Sequence, residues 1–314
     1  MNYTYLYKKE FCSPEELAKL NEYDITISMF VQSDRVMTPA EKIPTKEMVW
    51  IVDKADSNNI FLTGKTLLLV ETNDDWKKIK DFVSGLHPFG KRICIDSTGF
   101  TIPYLLFLLR TIYYCGVKKI DIIYSEPKKY IKYENTLFSE DLKEVAQIEG
   151  LAGGHISETE NDFMIIAAGY DHSRIIDVAN NKKPLQKILM FGFPSMSAEM
   201  FQENVFRAYK ASEAVGNYSF LNMDNNIYAP ANDPFVTAQY IKEYIDNKRH
   251  NPLTNIYLVP ISSKPQALGM ALYYINENCW KKGISILYPF SNKYHTNNTV
   301  GIARIWCYTF EFTS

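Results

Sequence analysis

An α/β fold, with a parallel sheet covered by helices on both faces, is predicted by three observations. Compact apolar runs of strand length alternate with helix-length segments, and one strand, loop, helix, strand unit occurs twice. Of the 314 residues, 46% are apolar, enough to cover a sheet on both sides.

In the first half, Ser13-Pro14-Glu15-Glu16 has the pattern of a capping box and predicts a short helix. Ile25 to Val31 alternates like a strand and ends in a loop, Gln32-Ser33-Asp34-Arg35. Met48 to Val52 and Thr66 to Glu71 have the length and apolar content of buried strands, and an amphipathic helix follows near Asp74 to Leu86. Arg92 to Ile95 predicts a further strand, Asp96-Ser97-Thr98-Gly99 its loop, and Ile102 to Cys115 a helix that is apolar almost all round and therefore buried. Gly116 suits the cap of that helix. Lys119 to Tyr124 is the next strand, expected to stop at Ser125-Glu126-Pro127 because proline has no ladder donor.

Gly150-Leu151-Ala152-Gly153-Gly154, taken to follow a helix, reads as a connector. Phe163 to Ala168 and Lys187 to Phe191 are apolar strands ending in Gly169-Tyr170-Asp171-His172-Ser173-Arg174 and Gly192-Phe193-Pro194-Ser195-Met196-Ser197. Helices are expected from Ser197 to about Ala214, and from Asp233-Pro234 to near Arg249. Thr254 to Ile261 is then a strand, Ser262-Ser263-Lys264-Pro265 a loop, Gln266 to Cys279 a helix and Gly283 to Tyr288 a strand.

This order repeats the earlier unit at a fixed offset. Ile120, Ile122, Tyr124, Lys129 and Tyr130 recur as Ile284, Ile286, Tyr288, Lys293 and Tyr294, with no gap needed. Duplication and shared local architecture both explain the match, since buried parallel strands are alike in composition. The expectation is a Rossmann-like parallel sheet with helices on both faces, the βαβ unit present twice, and halves at 1–150 and 151–314. The helix amino ends of the two crossovers would face a common cleft.

Charge narrows the function classes. Lys plus Arg is 34 against 36 for Asp plus Glu, without the cationic excess that binding of extended nucleic acid needs. No apolar run approaches the ~20 residues that span a bilayer, so no membrane partner is expected and a cytoplasmic location is. Cys12, Cys94, Cys115, Cys279 and Cys307 are scattered without a C-x-x-C pair or nearby histidines, which reads as reduced structural thiols and no metal site. Gly-x4-Gly-Lys-Ser/Thr and Gly-x-Gly-x-x-Gly are both absent, which argues against P-loop hydrolysis and dinucleotide oxidoreduction.

Ligands of open parallel sheets bind at strand carboxyl ends, where loops converge and helix amino ends point their N–H groups outward. Ser262, Ser263 and Lys264 offer two hydroxyls and a cation before a proline, suited to phosphate or carboxylate, or simply to a capped helix. Asp96, Ser97, Thr98 and Gly99 hold the corresponding place in the first unit. Asp34 and Arg35 pair a hydroxyl acceptor with a planar cation; Arg174 and Ser195 lie in the two remaining loops. As acid/base candidates the loops supply His172, Asp171, Asp96 and Glu126; of the other histidines, His87, His155, His250 and His295, none stands in a strand-end loop. Ser195 lacks the Gly-x-Ser-x-Gly setting of a hydrolase nucleophile. Some of the 22 tyrosines could stack on a base, though most belong to core and rim.

The loops Asp96-Ser97-Thr98-Gly99 and Ser262-Ser263-Lys264-Pro265-Gln266-Ala267-Leu268-Gly269 resemble the helix-opening loops of CRISPR-associated Rossmann-fold (CARF-like) sensor domains. The resemblance covers about a tenth of the chain and implies binding of a small cyclic or linear oligonucleotide signal. The family's usual Gly-Gly before the lysine is missing, as is any recognisable nuclease or helix-turn-helix effector segment. The segments Ile27 to Arg35 and Trp50-Ile51-Val52 also look like uncharacterised bacterial proteins, which carry no function over.

The leading expectation is binding of a nucleotide or phosphorylated small molecule at the strand carboxyl ends, in a sensing role, with a homodimer as a compatible assembly. The rivals are an enzyme acting on a nucleotide or sugar phosphate and a protein-interaction subunit without a small ligand. No particular cofactor is implied.

Overall fold

Near-continuous apolar runs become parallel strands, because only a strand covered on both faces needs apolar residues at every position. The computed structural model describes residues 1–54, 66–71, 75–130, 139–181, 186–216, 226–247, 253–294 and 299–313. Its strands are β1 (Lys8–Phe11), β2 (Tyr23–Met29), β3 (Thr45–Asp53), β4 (Thr66–Val70), β5 (Ile93–Asp96), β6 (Lys119–Tyr130) and β7 (Ser139–Gln147). There follow β8 (Phe163–Ala167), β9 (Gln186–Gly192), β10 (Asn226–Ala229), β11 (Ile256–Pro260), β12 (Ile284–Tyr294) and β13 (Thr299–Glu311). The helices are α1 (Asp34–Lys42), α2 (Trp76–Gly85), α3 (Ile102–Tyr114), α4 (His172–Asn181), α5 (Ala198–Lys210), α6 (Ser212–Val215), α7 (Pro234–Asn247) and α8 (Lys264–Asn276).

Two compact units result, and neither is continuous in sequence. A seven-stranded unit takes Leu6–Thr136 and His295–Ser314; a six-stranded unit takes Met1–Tyr5 and Leu137–Tyr294. The first sheet has the order β1-β13-β6-β5-β2-β3-β4, the second β10-β9-β8-β11-β12-β7. Within each, five parallel strands run in the order third, second, first, fourth, fifth, the order of a doubly wound Rossmann-like sheet without its sixth strand. The repeat seen in the sequence is this architecture: β5, α3 and β6 of one sheet correspond to β11, α8 and β12 of the other.

The antiparallel strands explain why the units differ from linear halves. β6 leads to β7, but β7 pairs antiparallel with β12; β12 leads to β13, which pairs antiparallel with β6. Each sheet thus closes with a strand that follows the other sheet's last parallel strand. β13 is also flanked on its far side by β1, so it lies inside its sheet.

Burial follows these layers. β5, β8 and β11 are buried at every position, and α3 is buried from Pro103 through Ile112, as its apolar surface predicts. In the six-stranded unit the core joins Met164 and Ile166 of β8 to Leu189 and Phe191 of β9, with Ile175 and Val178 of α4 against them. Trp50 is fully buried in the other unit, edge-on to Phe30. No helix among the described residues is long and apolar enough to cross a membrane.

Several local expectations need correction. β6 does not stop before Pro127 but runs to Tyr130, because β5 ends its pairing at Ile123 and leaves only β13 alongside. There Pro127 lies opposite Ile302, next to the register shift between Ile302 and Arg304, where a missing ladder donor is tolerated. The short helix opened by Ser13 to Glu16 is a 3-10 helix, Pro14–Lys19, and the Ser13 side chain does not cap it; Glu16 accepts from the Cys12 N–H. Asp34 and Arg35 are the first residues of α1 rather than loop. The connector at Gly150 to Gly154 follows strand β7, not a helix, and Gly153 sits against the Ile284 backbone, where a Cβ would clash. Arg249, His250 and His295 lie outside the described residues.

Candidate site at the strand carboxyl ends

Asp96 to Gly99 belongs to the seven-stranded unit and Ser262 to Pro265 to the six-stranded one.

In the seven-stranded unit the switch from β2 to β5 is closed by the protein itself. Gly99 lies so near the Met29 carbonyl oxygen that a Cβ would fall far inside 3.0 Å of it. Asp96 is fully buried; Oδ2 accepts from Ser28 Oγ at 3.0 Å and Oδ1 from the Thr98 N–H at 3.0 Å. Ser97 Oγ donates to the Ile123 carbonyl at 2.8 Å, and Thr98 Oγ1 accepts from the Ser125 N–H at 3.0 Å. These polar atoms knit β5 to β2 and β6, so the loop's side chains are engaged inside the fold. Arg35, half-buried, donates through Nε and Nη2 to the Ser125 carbonyl and through Nη1 to Thr299 Oγ1 at 2.7 Å. Asp34 is exposed at the start of α1.

Glu126 is buried on β6, accepting from Trp306 Nε1 at 2.9 Å and facing Arg304 Nε at 3.4 Å. Burial pushes its carboxyl above the usual glutamate range, outweighing the Trp306 donor and the Arg304 charge. A carboxyl whose folded pKa is raised contributes stability below its unfolded pKa and loses it as pH rises through the folded value. We therefore expect thermal melts of the wild type to fall, relative to Glu126→Gln, as pH climbs out of the ordinary glutamate range. Glutamine keeps the acceptor for Trp306 and removes the ionisation, so parallel pH profiles for the two proteins would contradict this assignment.

In the six-stranded unit four loops meet at the carboxyl ends of β8, β9, β10 and β11. A Cβ on Gly169 would fall far inside 3.0 Å of the Ile261 carbonyl oxygen, which sets the β8 loop directly beside Ser262. The Phe193 N–H donates to the Ala229 carbonyl at 2.8 Å and the Ala231 N–H to the Pro194 carbonyl at 2.9 Å, joining the next two loops. Ser263 Oγ then donates to the Ala231 carbonyl at 2.5 Å, and Gln266 Nε2 to that of Ala229 at 3.2 Å.

Around this floor the predicted residues divide by job. Asp171 caps α4, Oδ1 accepting from the N–H of Ser173 at 3.0 Å and from its hydroxyl at 2.5 Å. Arg174 is buried between Asp177 at 3.2 Å and Asp171 at 3.8 Å, so two carboxylates offset its charge. His172 is half-buried in the first turn of α4, and Ser195 donates to the Ser197 carbonyl at 2.5 Å. Ser262, Ser263 and Lys264 are half-buried at the amino end of α8. That helix offers few backbone donors, since Pro265 has no N–H and the Gln266 N–H is directed at Ser263 Oγ, 3.3 Å away. An anion there would be held chiefly by the Lys264 ammonium and the Ser262 hydroxyl.

Three contributors lay beyond the sequence reading. Asn204 Nδ2 donates to the Ala168 carbonyl at 2.8 Å, and Arg207 Nη1 to that of Tyr170 at 2.9 Å. Arg207 also lies over the Tyr170 ring at 5.2 Å and pairs with Glu203 at 2.6 Å, so α5 fixes the β8 loop. Gln266, fully buried, ties α8 to β10. The spacing of Glu203, Asn204 and Arg207 on one turn was the only signal available. Among the described residues no group of three His, Cys, Asp or Glu is placed to hold a metal.

No protein-family model matches this chain, and no curated protein matches it. Among solved structures, the precorrin-6A reductase CobK is similar at 10% identity and a TM-score of 0.25, over 87% of this chain and 90% of that one. A second is the adenylation, ketoreductase and pseudo-Asub multidomain structure of a keto acid-selecting NRPS module, at 9% identity and a TM-score of 0.25. It matches over 88% of this chain and 34% of its own length. Likenesses this loose say nothing of what this chain binds.

Proposed function

We propose that the protein binds a nucleotide or phosphorylated small molecule at the carboxyl ends of β8 and β11. The observation that supports this reading is the switch point of the six-stranded sheet, where backbone contact at Gly169 sets the β8 loop beside Ser262. Lys264 and Ser262 would hold a phosphate group, and the loop of Tyr170, braced by Arg207, would form the opposite wall.

A ligand selective for the native state stabilises it, by about 2.7 kcal/mol when present at ~100 times its Kd. A thermal-shift panel of nucleotides, sugar phosphates and short oligonucleotides is expected to contain at least one compound that raises the melting temperature of the wild type. The oligonucleotides belong in the panel because of the resemblance to CARF-like sensor domains. The shift should shrink in Lys264→Ala. If the whole panel leaves the wild type unmoved, or the shift survives unchanged in Lys264→Ala, the site assignment fails.

A further inference from the structure

The seven-stranded unit has a cavity at the edge of its sheet opposite the strand carboxyl ends. It opens at the amino ends of β5 and β6, beside the last residues of β13, and has a volume of about 610 Å³, within the ~300–1,000 Å³ range of small-molecule sites. Its charge is unlike that of the chain, whose formal net charge is −2. Lys9, Lys19, Lys91, Arg92 and Lys119 line it, against a single carboxylate, Asp121.

The partners of these groups decide how much of that charge is available. Lys19 pairs with Glu16 and Lys119 with Glu311, both at exposed positions. Asp121 is fully committed: Oδ2 accepts from the buried Tyr23 hydroxyl at 2.8 Å, Oδ1 accepts from Thr309 Oγ1 at 2.6 Å, and Arg92 stands 3.5 Å away. Among the described residues neither Lys9 nor Lys91 has a carboxylate within 4 Å; Lys9 lies over the Phe11 ring, and Lys91 Nζ donates to the Leu86 carbonyl at 2.6 Å and is near enough to Asp24 to feel its charge. With Glu16 and Glu311 counted alongside Asp121, and Asp24 set against its partner Lys46, the described residues leave an excess of two positive charges at the cavity.

Arg92 is held in place rather than free to swing. Its guanidinium lies 4.6 Å over the Tyr23 ring, and its backbone N–H donates to Asp24 Oδ2 at 2.9 Å. A planar donor oriented by Tyr23 and Asp121 and flanked by two ammonium groups matches phosphate oxygens, and a half-open cavity of this size suits a compact ligand better than a duplex, whose phosphates need an extended stripe. Cys307 adds no nucleophile, because burial pushes its thiol up to about 12.

We propose that this cavity is a second anion site, taking a small molecule that bears two or more phosphate groups, held by Lys9, Lys91 and Arg92. It does not depend on the reading of Ser262 and Lys264. Calorimetric titration of the full chain with inorganic tripolyphosphate tests it. Saturable binding is expected at low ionic strength, weaker as salt is added, and at least about tenfold weaker in Lys9→Gln/Lys91→Gln. Lys9→Gln alone, at an exposed position on β1, should weaken binding severalfold without altering the melting temperature, so loss of fold in the double variant would not hide the answer. The component of tripolyphosphate binding that Lys9→Gln weakens should persist in Lys264→Ala, which separates this cavity from the carboxyl-end site. The assignment is overturned by the absence of saturable binding, by full affinity in Lys9→Gln, or by tighter binding of a single-stranded oligonucleotide at matched phosphate concentration.

Discussion

A chain truncated before β13 is expected to lose the cooperative unfolding of the seven-stranded unit altogether. β13 lies between β1 and β6, and its register with β6 runs from Thr299 opposite Tyr130 to Glu311 opposite Lys119. It buries Ile305, Trp306, Tyr308 and Phe310. Burial of a large apolar side chain is worth ~1.5–3 kcal/mol, so four of them rival the ~5–15 kcal/mol that separates an ordinary domain from its unfolded state. The ladder donors and acceptors of β6 would also lose their partners beyond the reach of β5. Hydrogen exchange separates the outcomes. Amides of β2, β5 and β6 should exchange freely in the truncated chain while those of β8 and β11 stay protected; retained protection in β5 would show that β13 is dispensable. The same reasoning predicts that a fragment cut at residue 150 fails, since it keeps β7 without β12 and β6 without β13.

The second large effect is expected from a single methyl group. Gly169→Ala would drive a Cβ into the Ile261 carbonyl oxygen, and both atoms belong to backbone that buried parallel strands hold in place. Neither a rotamer change nor a side-chain shift relieves such a contact, so the cost should reach about 3 kcal/mol or more, the range reserved for named packing faults. Gly99→Ala repeats the experiment at the equivalent switch point, against Met29. Gly85→Ala serves as the contrast: nothing lies within 4 Å of its Cβ position at the end of α2, and alanine should be neutral or stabilising there. Denaturant midpoints for the three variants measure the difference, and a Gly169→Ala protein as stable as Gly85→Ala would mean that the two loops are not packed as described.

How much of this was legible in the sequence depended on how local the cause was. Strands buried on both faces announce themselves by composition, which is why β8, β9 and β11 were found within a residue or two. The repeat was legible too, since Tyr124 with Lys129-Tyr130 and Tyr288 with Lys293-Tyr294 keep one spacing. What stayed hidden was pairing at long range. Nothing in the polar sequence of β7, Ser139 to Gln147, says that it joins β12, and the continuation of β6 through Pro127 depends on β13, more than 170 positions later. The same limit applied to the candidate residues. Asp96 and Glu126 carry the right chemistry for a site, but Ser28 and Trp306 engage them inside the fold, and those partners could not be named from spacing. For Ser262 and Lys264 only the local placement was legible: Ser262 precedes the Ser263 cap of α8, and Lys264 is that helix's first residue.

The exchanged closing strands also bear on how the molecule is made. A ribosome releases β2 through β6 early, yet the strand that completes their sheet is synthesised only after every strand of the other sheet. Until then the flank of β6 is an open edge, the kind of surface on which nascent chains stick to one another. Charged and proline residues stand along that flank, from Glu126-Pro127 to Lys128-Lys129, and they would protect the waiting edge during translation.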